Sequence, residues 1–361
     1  MREFFPTEPP PVTDLLSRRA SGISRRTLPS ARVLATAALA AGAVGLAIAA
    51  RYRTRYTFEN KVVVITGGSR GLGLVLAREL ASRGASLGLM ARDALELARA
   101  RRSIDSDSLV QLLPADVTDP AQVEQAFSTM IRRFGRIDIV INNAGQILSA
   151  PFEDTTREDF EAMLDVHFWG TLNVSRAALP HLARHREGRI INICSIGGRV
   201  PIPHLSAYCA SKFAQAGLSA VMAEELRAKG IYITTVLPGL VRTGSHLQAW
   251  FKGDRAAEFA LFSLVGGSPG TSMSAERAAR LILSAAARGR ADAVIPFSYR
   301  QLAKLSACAP NATLATLAAV NGMMPGPQTR IATQGKYLSL PKLVRGATAL
   351  NERAADRNNQ R

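Results

Sequence analysis

From about Phe58 to Phe297, short apolar runs alternate with amphipathic stretches. The runs are KVVVITG (61–67), ASLGLMA (85–91), SLVQLLPAD (108–116), IDIVINNAG (137–145), RIINICS (189–195) and IYITTVLPG (231–239), with a shorter seventh at ADAVIPF (291–297). They are rich in Val and Ile and apolar at nearly every position, whereas a strand with one wet face alternates apolar with polar. Between them, GLVLARELASRG (73–84) and VEQAFSTMIRRFG (123–135) repeat apolar residues at helical spacing. Strands buried on both faces and separated by helices predict an α/β domain in three layers, a parallel sheet with helices on each side. No internal repeat is visible.

The flanks read differently. Residues 1–32 carry Pro6, Pro9, Pro10 and Pro11 among Ser and Arg without periodicity, which predicts a flexible basic arm. Val33–Ala50 is an 18-residue stretch without charge, just long enough to span a bilayer as a helix but weakly hydrophobic because it is mostly Ala and Gly. The expectation is a membrane-spanning or membrane-seated anchor with the following domain on the cytoplasmic side. Competing readings are a helix buried against the domain or a partner, an interfacial helix, and a cleaved export signal. Ser24-Arg25-Arg26-Thr27-Leu28 resembles a twin-arginine sequence, and Ala47-Ile48-Ala49 a cleavage site. Arg51, Arg53 and Arg55 directly after the segment oppose translocation. Residues 301–361 form an extension, apolar and small before a polar tail, for which packing on the domain and contact with lipid both stay open.

Charge narrows the partners. The 361 residues hold 45 Lys and Arg against 28 Asp and Glu, a net +17. The excess is spread out with no run of five or six like charges, which argues against a nucleic-acid-binding tail and fits an anionic membrane surface or a phosphorylated cofactor. Three cysteines are too few for a disulfide framework or a zinc cluster, and Cys194 and Cys209 read as core. His181 and His185 stand at i,i+4, but among Arg184, Arg186 and Arg189 they read as a solvated helix end, so no metal site is expected.

After the first strand comes Thr66-Gly67-Gly68-Ser69-Arg70-Gly71-Leu72-Gly73. Glycines here permit a tight strand-to-helix turn and a close backbone approach to a diphosphate, which the free N–H groups of the helix N-terminus attract. The spacing Gly-x-x-x-Gly-x-Gly, with Asn142-Asn143-Ala144-Gly145 after the fourth strand and Tyr208-x-x-x-Lys212 thirteen residues beyond Ser195, resembles the short-chain dehydrogenase/reductase superfamily in its single-domain branch. The resemblance covers roughly 60–300. It implies a doubly wound Rossmann-type sheet, contact of Asp116 and Val117 with adenine, a cofactor wall at Asn143, Ala144 and Gly145, and a nicotinamide-side segment of Pro238, Gly239, Val241 and Thr243.

The second strand ends Met90-Ala91-Arg92-Asp93. A guanidinium there suits a 2′-phosphate, and Arg70 points to the same neighbourhood, so NADP(H) is the expected cofactor; Asp93 as a ribose acceptor is the alternative. Tyr208 and Lys212, one helical turn apart, share a face. The resemblance makes Tyr208 the proton donor and acceptor, Lys212 the group that lowers its pKa and holds the nicotinamide ribose, and Ser195 the donor to the substrate carbonyl. Where the family usually carries an Asn that binds a relay water, this chain has His167 within LDVHFWGTLNVSRAALP (164–180). Proton relay, with an ionisation between about pH 5 and 8, is the expectation; a satisfied imidazole filling a helix bend is its rival.

Residues 245–275 hold Leu247, Trp250, Phe251, Phe259, Leu261, Phe262 and Leu264, an aromatic lid that suggests an apolar or lipid-like substrate, against a lid that packs on its own domain. The expected function is NADP(H)-dependent interconversion of a carbonyl and an alcohol, in a chain that also forms a homo-oligomer on one reading. The alternatives are a catalytically silent NADP(H)-binding sensor and a membrane-associated scaffold.

Overall fold

The computed structural model describes residues 56–104 and 109–361. The arm, the twin-arginine-like stretch and the apolar segment 33–50 lie outside the described residues, among which no helix is long and apolar enough to cross a membrane.

Each apolar run forms a strand: β1 Val62–Thr66, β2 Ser86–Ala91, β3 Val110–Pro114, β4 Ile139–Asn142, β5 Gly188–Ile193, β6 Ile231–Pro238 and β7 Asp292–Ile295. They pair in parallel in the order β7-β6-β5-β4-β1-β2-β3. The direction of winding reverses between β1 and β4, and at such a point the loops leaving the strand carboxyl ends diverge and open a crevice. The helices are α1 Gly71–Ala81, α2 Ala94–Arg102, α3 Pro120–Phe134, α4 Arg157–Leu164, α5 Gly170–Leu182, α6 Ser206–Arg227, α7 Arg255–Gly267, α8 Ala275–Ala287, α9 Phe297–Cys308, α10 Pro310–Asn321, α11 Lys342–Ala347 and α12 Ala349–Arg357.

The three layers follow from side-chain alternation along β1. Val63 and Ile65 join one core with Leu74 and Leu80 of α1, Leu97 of α2 and Ile282 of α8. Val62 and Val64 join the other with Phe127 and Met130 of α3, Val174 of α5 and Leu226 of α6. Local signals set the helix ends. The Asp119 carboxylate accepts from the Ala121 and Gln122 N–H groups at 2.9 and 3.2 Å, Pro120 opens α3, and Gly135 closes it at φ +72°. Between α4 and α5 the chain makes a wide π-type turn over Asp165–Trp169, with His167 at its centre.

The lid segment differs from the expectation. Phe251 and Phe259 are fully buried and, with Leu247, pack on Leu340 and Ala355 of the extension, forming a small core of their own rather than a face toward substrate. The strip Trp250–Phe251 is the middle strand between Leu148–Ser149 and Thr333–Gln334. The extension therefore divides. Part of it packs on the domain, while Leu305 on α9, Leu314 and Val320 on α10, and Met323 just after it are exposed.

Candidate active site

The turn between β1 and α1 is held from behind. Gly67 and Gly71 adopt φ +63° and +58°, a region open to glycine, and a Cβ on Gly73 would strike the Gly67 carbonyl. Thr66 Oγ1 accepts the N–H groups of Asn143 and Ala144, each at 3.0 Å. Asn143 Nδ2 donates back to the carbonyls of Thr66 and Gly67 at 3.0 and 3.1 Å. Asn142 ties the next strand, donating to Asn192 Oδ1 at 2.8 Å and Ser175 Oγ at 3.1 Å. The first turn of α1 has no side-chain cap; its Gly71 N–H is taken by the Asn358 carbonyl at 2.8 Å, and the turn's remaining partial positive charge faces the cleft beside Leu72.

Charge is arranged unevenly around this turn. Arg70 donates to Glu96 Oε1 at 2.6 Å, and Ser69 Oγ donates to the other oxygen at 3.1 Å. The Arg92 side chain is 75% exposed and 3.7 Å from Asp116 Oδ2. Asp93 Oδ1 caps α2, accepting the N–H groups of Leu95 and Glu96, and the bond from Glu96 is the main reason its carboxyl sits below the ordinary range. That oxygen is engaged by the helix rather than open to a ribose.

At the end of β5 the residues are buried side chains rather than backbone. Ser195 Oγ accepts the Gly197 N–H at 3.0 Å and is hydrogen-bonded to Tyr208. Gly197 and Gly198 let this loop lie on α6, since a Cβ on Gly198 would stand 2.8 Å from both Cys194 Sγ and the Lys212 carbonyl. Lys212 is 4% exposed. Its Nζ donates to the Ile193 carbonyl at 3.1 Å and to Gln215 Oε1 at 2.9 Å, and Gln215 is held by Thr171 Oγ1. Burial pulls the Lys212 ammonium down to about 8. Burial also pushes the Tyr208 phenol above its ordinary value, with the Ser195 bond acting the other way. Both groups are thus driven toward their neutral forms. Cys194 and Cys209 are buried with raised thiols, Cys209 to about 11, so neither is a thiolate at neutral pH.

His167 links the two ends. It is fully buried, its Nε2 accepts the Gln146 N–H at 3.2 Å, and its Nδ1 lies 2.8 Å from Ser211 Oγ, which donates to the Tyr208 carbonyl at 2.7 Å. Because Nε2 accepts, Nδ1 carries the proton. Both nitrogens are therefore occupied, and the ring lies edge-on to Tyr208 at 5.5 Å. Burial, seconded by the Lys212 charge, holds the imidazole well below its ordinary pKa and so toward its neutral form, against the ionisation expected for it. Gly145 is glycine for the same reason: a Cβ there would stand 2.9 Å from Nε2.

A cleft of about 620 Å³ opens at the switch point between β1 and β4. Of the expected residues it is lined by Gly67, Ser69, Arg70, Gly71, Leu72, Arg92, Asp116, Val117, Asn143, Ala144, Gly145 and Thr243. Thr66 and Gly73 stand behind the turn. Pro238 lies in β6 against Ile295, Gly239 is covered by the Tyr299 ring, and Val241 pairs with Met273, so these three are outside the lining. Ser195, Tyr208 and Lys212 are also outside it, joined to it through His167, which touches the lining at Gly145 and Gln146. Trp250, one of the aromatics named in the lid, lines the cleft, whereas Glu96, Lys336 and Gln360 in the lining were not anticipated. No motif marks them: Glu96 comes from α2, and Lys336 and Gln360 arrive only with the path of the extension.

Fold and site together define a dinucleotide-fold oxidoreductase, and comparison with known proteins agrees. The family model described as short chain dehydrogenase matches residues 61–251, just over half of the chain. The chain belongs to that family. It is 40% identical over 191 residues to Oxidoreductase BOA17 of Botryotinia fuckeliana, covering 52% of this chain and 69% of the relative. It is 40% identical over 198 residues to 11-beta-hydroxysteroid dehydrogenase-like 3 of Arabidopsis thaliana, covering 53% of this chain and 63% of that one. Among solved structures, a short chain dehydrogenase of Burkholderia cenocepacia J2315 in complex with NADP superposes with a TM-score of 0.59 at 28% identity, covering 73% of this chain and 99% of that one.

Proposed function

We propose that the protein is an NADP(H)-dependent oxidoreductase that interconverts a carbonyl and an alcohol on an apolar, lipid-like substrate. The observation that carries this reading is the meeting of Ser195, Tyr208 and Lys212 at the end of β5, one imidazole away from a cleft floored by the glycine turn. The cleft fits a dinucleotide: it has the volume, a first turn of α1 without a side-chain cap toward a diphosphate, and Arg92 and Arg70 beside the end of β2 toward a 2′-phosphate. The NADP complex of the Burkholderia relative supports the choice of cofactor.

When bound, the nicotinamide supplies the hydride for reduction or takes it for oxidation. Tyr208 gives its proton to the substrate oxygen in reduction and recovers it in oxidation. A phenol held above its ordinary pKa is a ready hydrogen-bond donor but a reluctant acid, so the positive charge of Lys212 is needed to stabilise the phenolate as it forms. Ser195 orients the carbonyl. His167, with both nitrogens engaged, positions the start of α6 through Ser211; we favour this over relay because relay requires one of its hydrogen bonds to be released.

An apolar substrate is supported by the similarity to the Arabidopsis relative named 11-beta-hydroxysteroid dehydrogenase-like 3. Seating at a membrane with the catalytic domain on the cytoplasmic side rests on the segment 33–50 and is supported by the exposed Leu305, Leu314 and Met323. The test is NADPH oxidation with a panel of long-chain and cyclic ketones, alongside fractionation of the full chain with and without residues 1–57. Turnover that Tyr208→Phe abolishes is expected. Tight NADPH binding without turnover of any carbonyl would instead support the sensor reading.

A further inference from the structure

The polar segment after α12 ends in the cleft, and local chemistry brings it there. Asn359 takes φ +56°, the left-handed conformation that terminates helices and that Asn tolerates better than most residues. The chain turns back, the Gln360 N–H bonding the Ala355 carbonyl at 3.0 Å. The turned segment is fastened to the glycine turn on several sides. The Gly71 N–H donates to the Asn358 carbonyl at 2.8 Å. Asn359 Nδ2 donates to the Ser69 carbonyl at 2.8 Å, and Arg99 Nε to Asn359 Oδ1 at 3.1 Å. Gln248 of the lid segment donates to the Gln360 carbonyl at 2.7 Å.

These contacts aim one side chain. Gln360 lines the cleft, and its Nε2 stands 2.7 Å from where a Cβ on Gly71 would lie. Gln360 is 4% exposed, and its Oε1 is buried without a hydrogen-bond partner. A buried amide oxygen with no donor is unfavourable, a cost that a bound group donating to it removes. From its position beside the first turn of α1, we infer that Gln360 is a cofactor-contacting residue: its amide binds the diphosphate region of the dinucleotide. A diphosphate flanked by ribose hydroxyls offers both an acceptor for Nε2 and a donor for Oε1, so one amide satisfies both. The extension thereby supplies a wall of the cofactor site that the 61–251 family region does not contain. This inference rests on the dinucleotide reading above.

The experiment is titration of the full chain with NADPH, followed by the ligand's fluorescence, for the wild type, Gln360→Ala and Gln360→Glu, with 2′-phosphoadenosine as a probe that lacks the diphosphate. Gln360→Ala should weaken NADPH about tenfold, the scale of a hydrogen bond to a charged acceptor. Gln360→Glu should weaken it further, because a carboxylate repels the phosphates. Binding of 2′-phosphoadenosine should change in neither, and the melting temperature of each variant separates a loss of folding from a loss of the contact. If both variants bind NADPH within twofold of the wild type, Gln360 is not a contact. If they bind it more tightly, the segment obstructs the site, and the inference is equally overturned. Failure of the wild type to bind any nicotinamide dinucleotide would remove the dinucleotide reading, and this inference with it.

Discussion

The two ends of the site are built from different materials. At the β1–α1 turn the working groups are backbone amides, fixed by positive-φ glycines and by the bonds among Thr66, Asn143 and the turn carbonyls. Nothing there must ionise for the turn to hold its shape. At the end of β5 the working groups are a phenol, an ammonium and an imidazole, all with pKa values displaced by burial. The first end suits a constant anion and the second a proton that comes and goes. Substitutions at the turn should therefore change cofactor affinity at constant kcat, and those at the buried end should change kcat and pH dependence at constant affinity.

Tyr208→Phe makes the largest test of that division. We expect kcat to fall by about 10²–10⁴, the usual worth of a positioned general acid, with NADPH affinity unchanged. A loss of affinity without a loss of kcat would break the comparison. At the other end, Arg92→Ala should raise the KM for NADPH by one to two orders of magnitude, roughly 1.4–2.8 kcal/mol, and leave NADH little changed. Equal use of the two cofactors by the wild type would dismiss a 2′-phosphate role for this arginine.

His167 sharpens the boundary between the ends. His167→Asn should keep much of the activity, whereas His167→Leu strands the Gln146 N–H and takes from Ser211 Oγ the bond it receives while leaving its bond to the Tyr208 carbonyl, and should lose about 1–3 kcal/mol of stability. The wild-type kcat/KM profile should show no imidazole ionisation at or above the ordinary histidine value of about 6.5. An ionisation there that His167→Asn removes would restore the relay.

At Lys212 the expected effect is on the pH dependence of stability. Its folded pKa of about 8 lies below the unfolded value of 10.5, so between those values the unfolded chain binds more protons and the folded state gains stability as pH rises. Below about pH 8 the ammonium is present in both states and its burial penalty is constant. Denaturation of the wild type against Lys212→Met should therefore show the wild type gaining up to about 1.4 kcal/mol per pH unit from pH 8 to 10. Parallel pH curves would mean that Lys212 keeps an ordinary pKa in the folded protein.

Much of this was legible in the residues themselves. Seven apolar runs became seven parallel strands, because burial on both faces leaves a composition signal that needs no long-range information. The glycine turn was legible because its constraints are steric and local: positive φ at Gly67 and Gly71, and no room for a Cβ at Gly73 against the Gly67 carbonyl. Asn142–Gly145 was legible only through the family resemblance, its close contact of Gly145 with His167 being tertiary. Tyr208 and Lys212 were legible because four residues is one helical turn. The tertiary structure decided everything that depends on which distant segment arrives at a given point. It turned Phe251 and Phe259 inward onto Leu340 and Ala355, paired Arg70 with Glu96, occupied both nitrogens of His167, and laid Asn358–Gln360 against Gly71. Asn359 and Gln360 look in the sequence like any polar tail. Asn359 meets Ser69 and Arg99, 290 and 260 residues away, and Gln360 meets Gln248, 112 residues away; contacts of that span are set by packing rather than by any periodicity that the sequence displays.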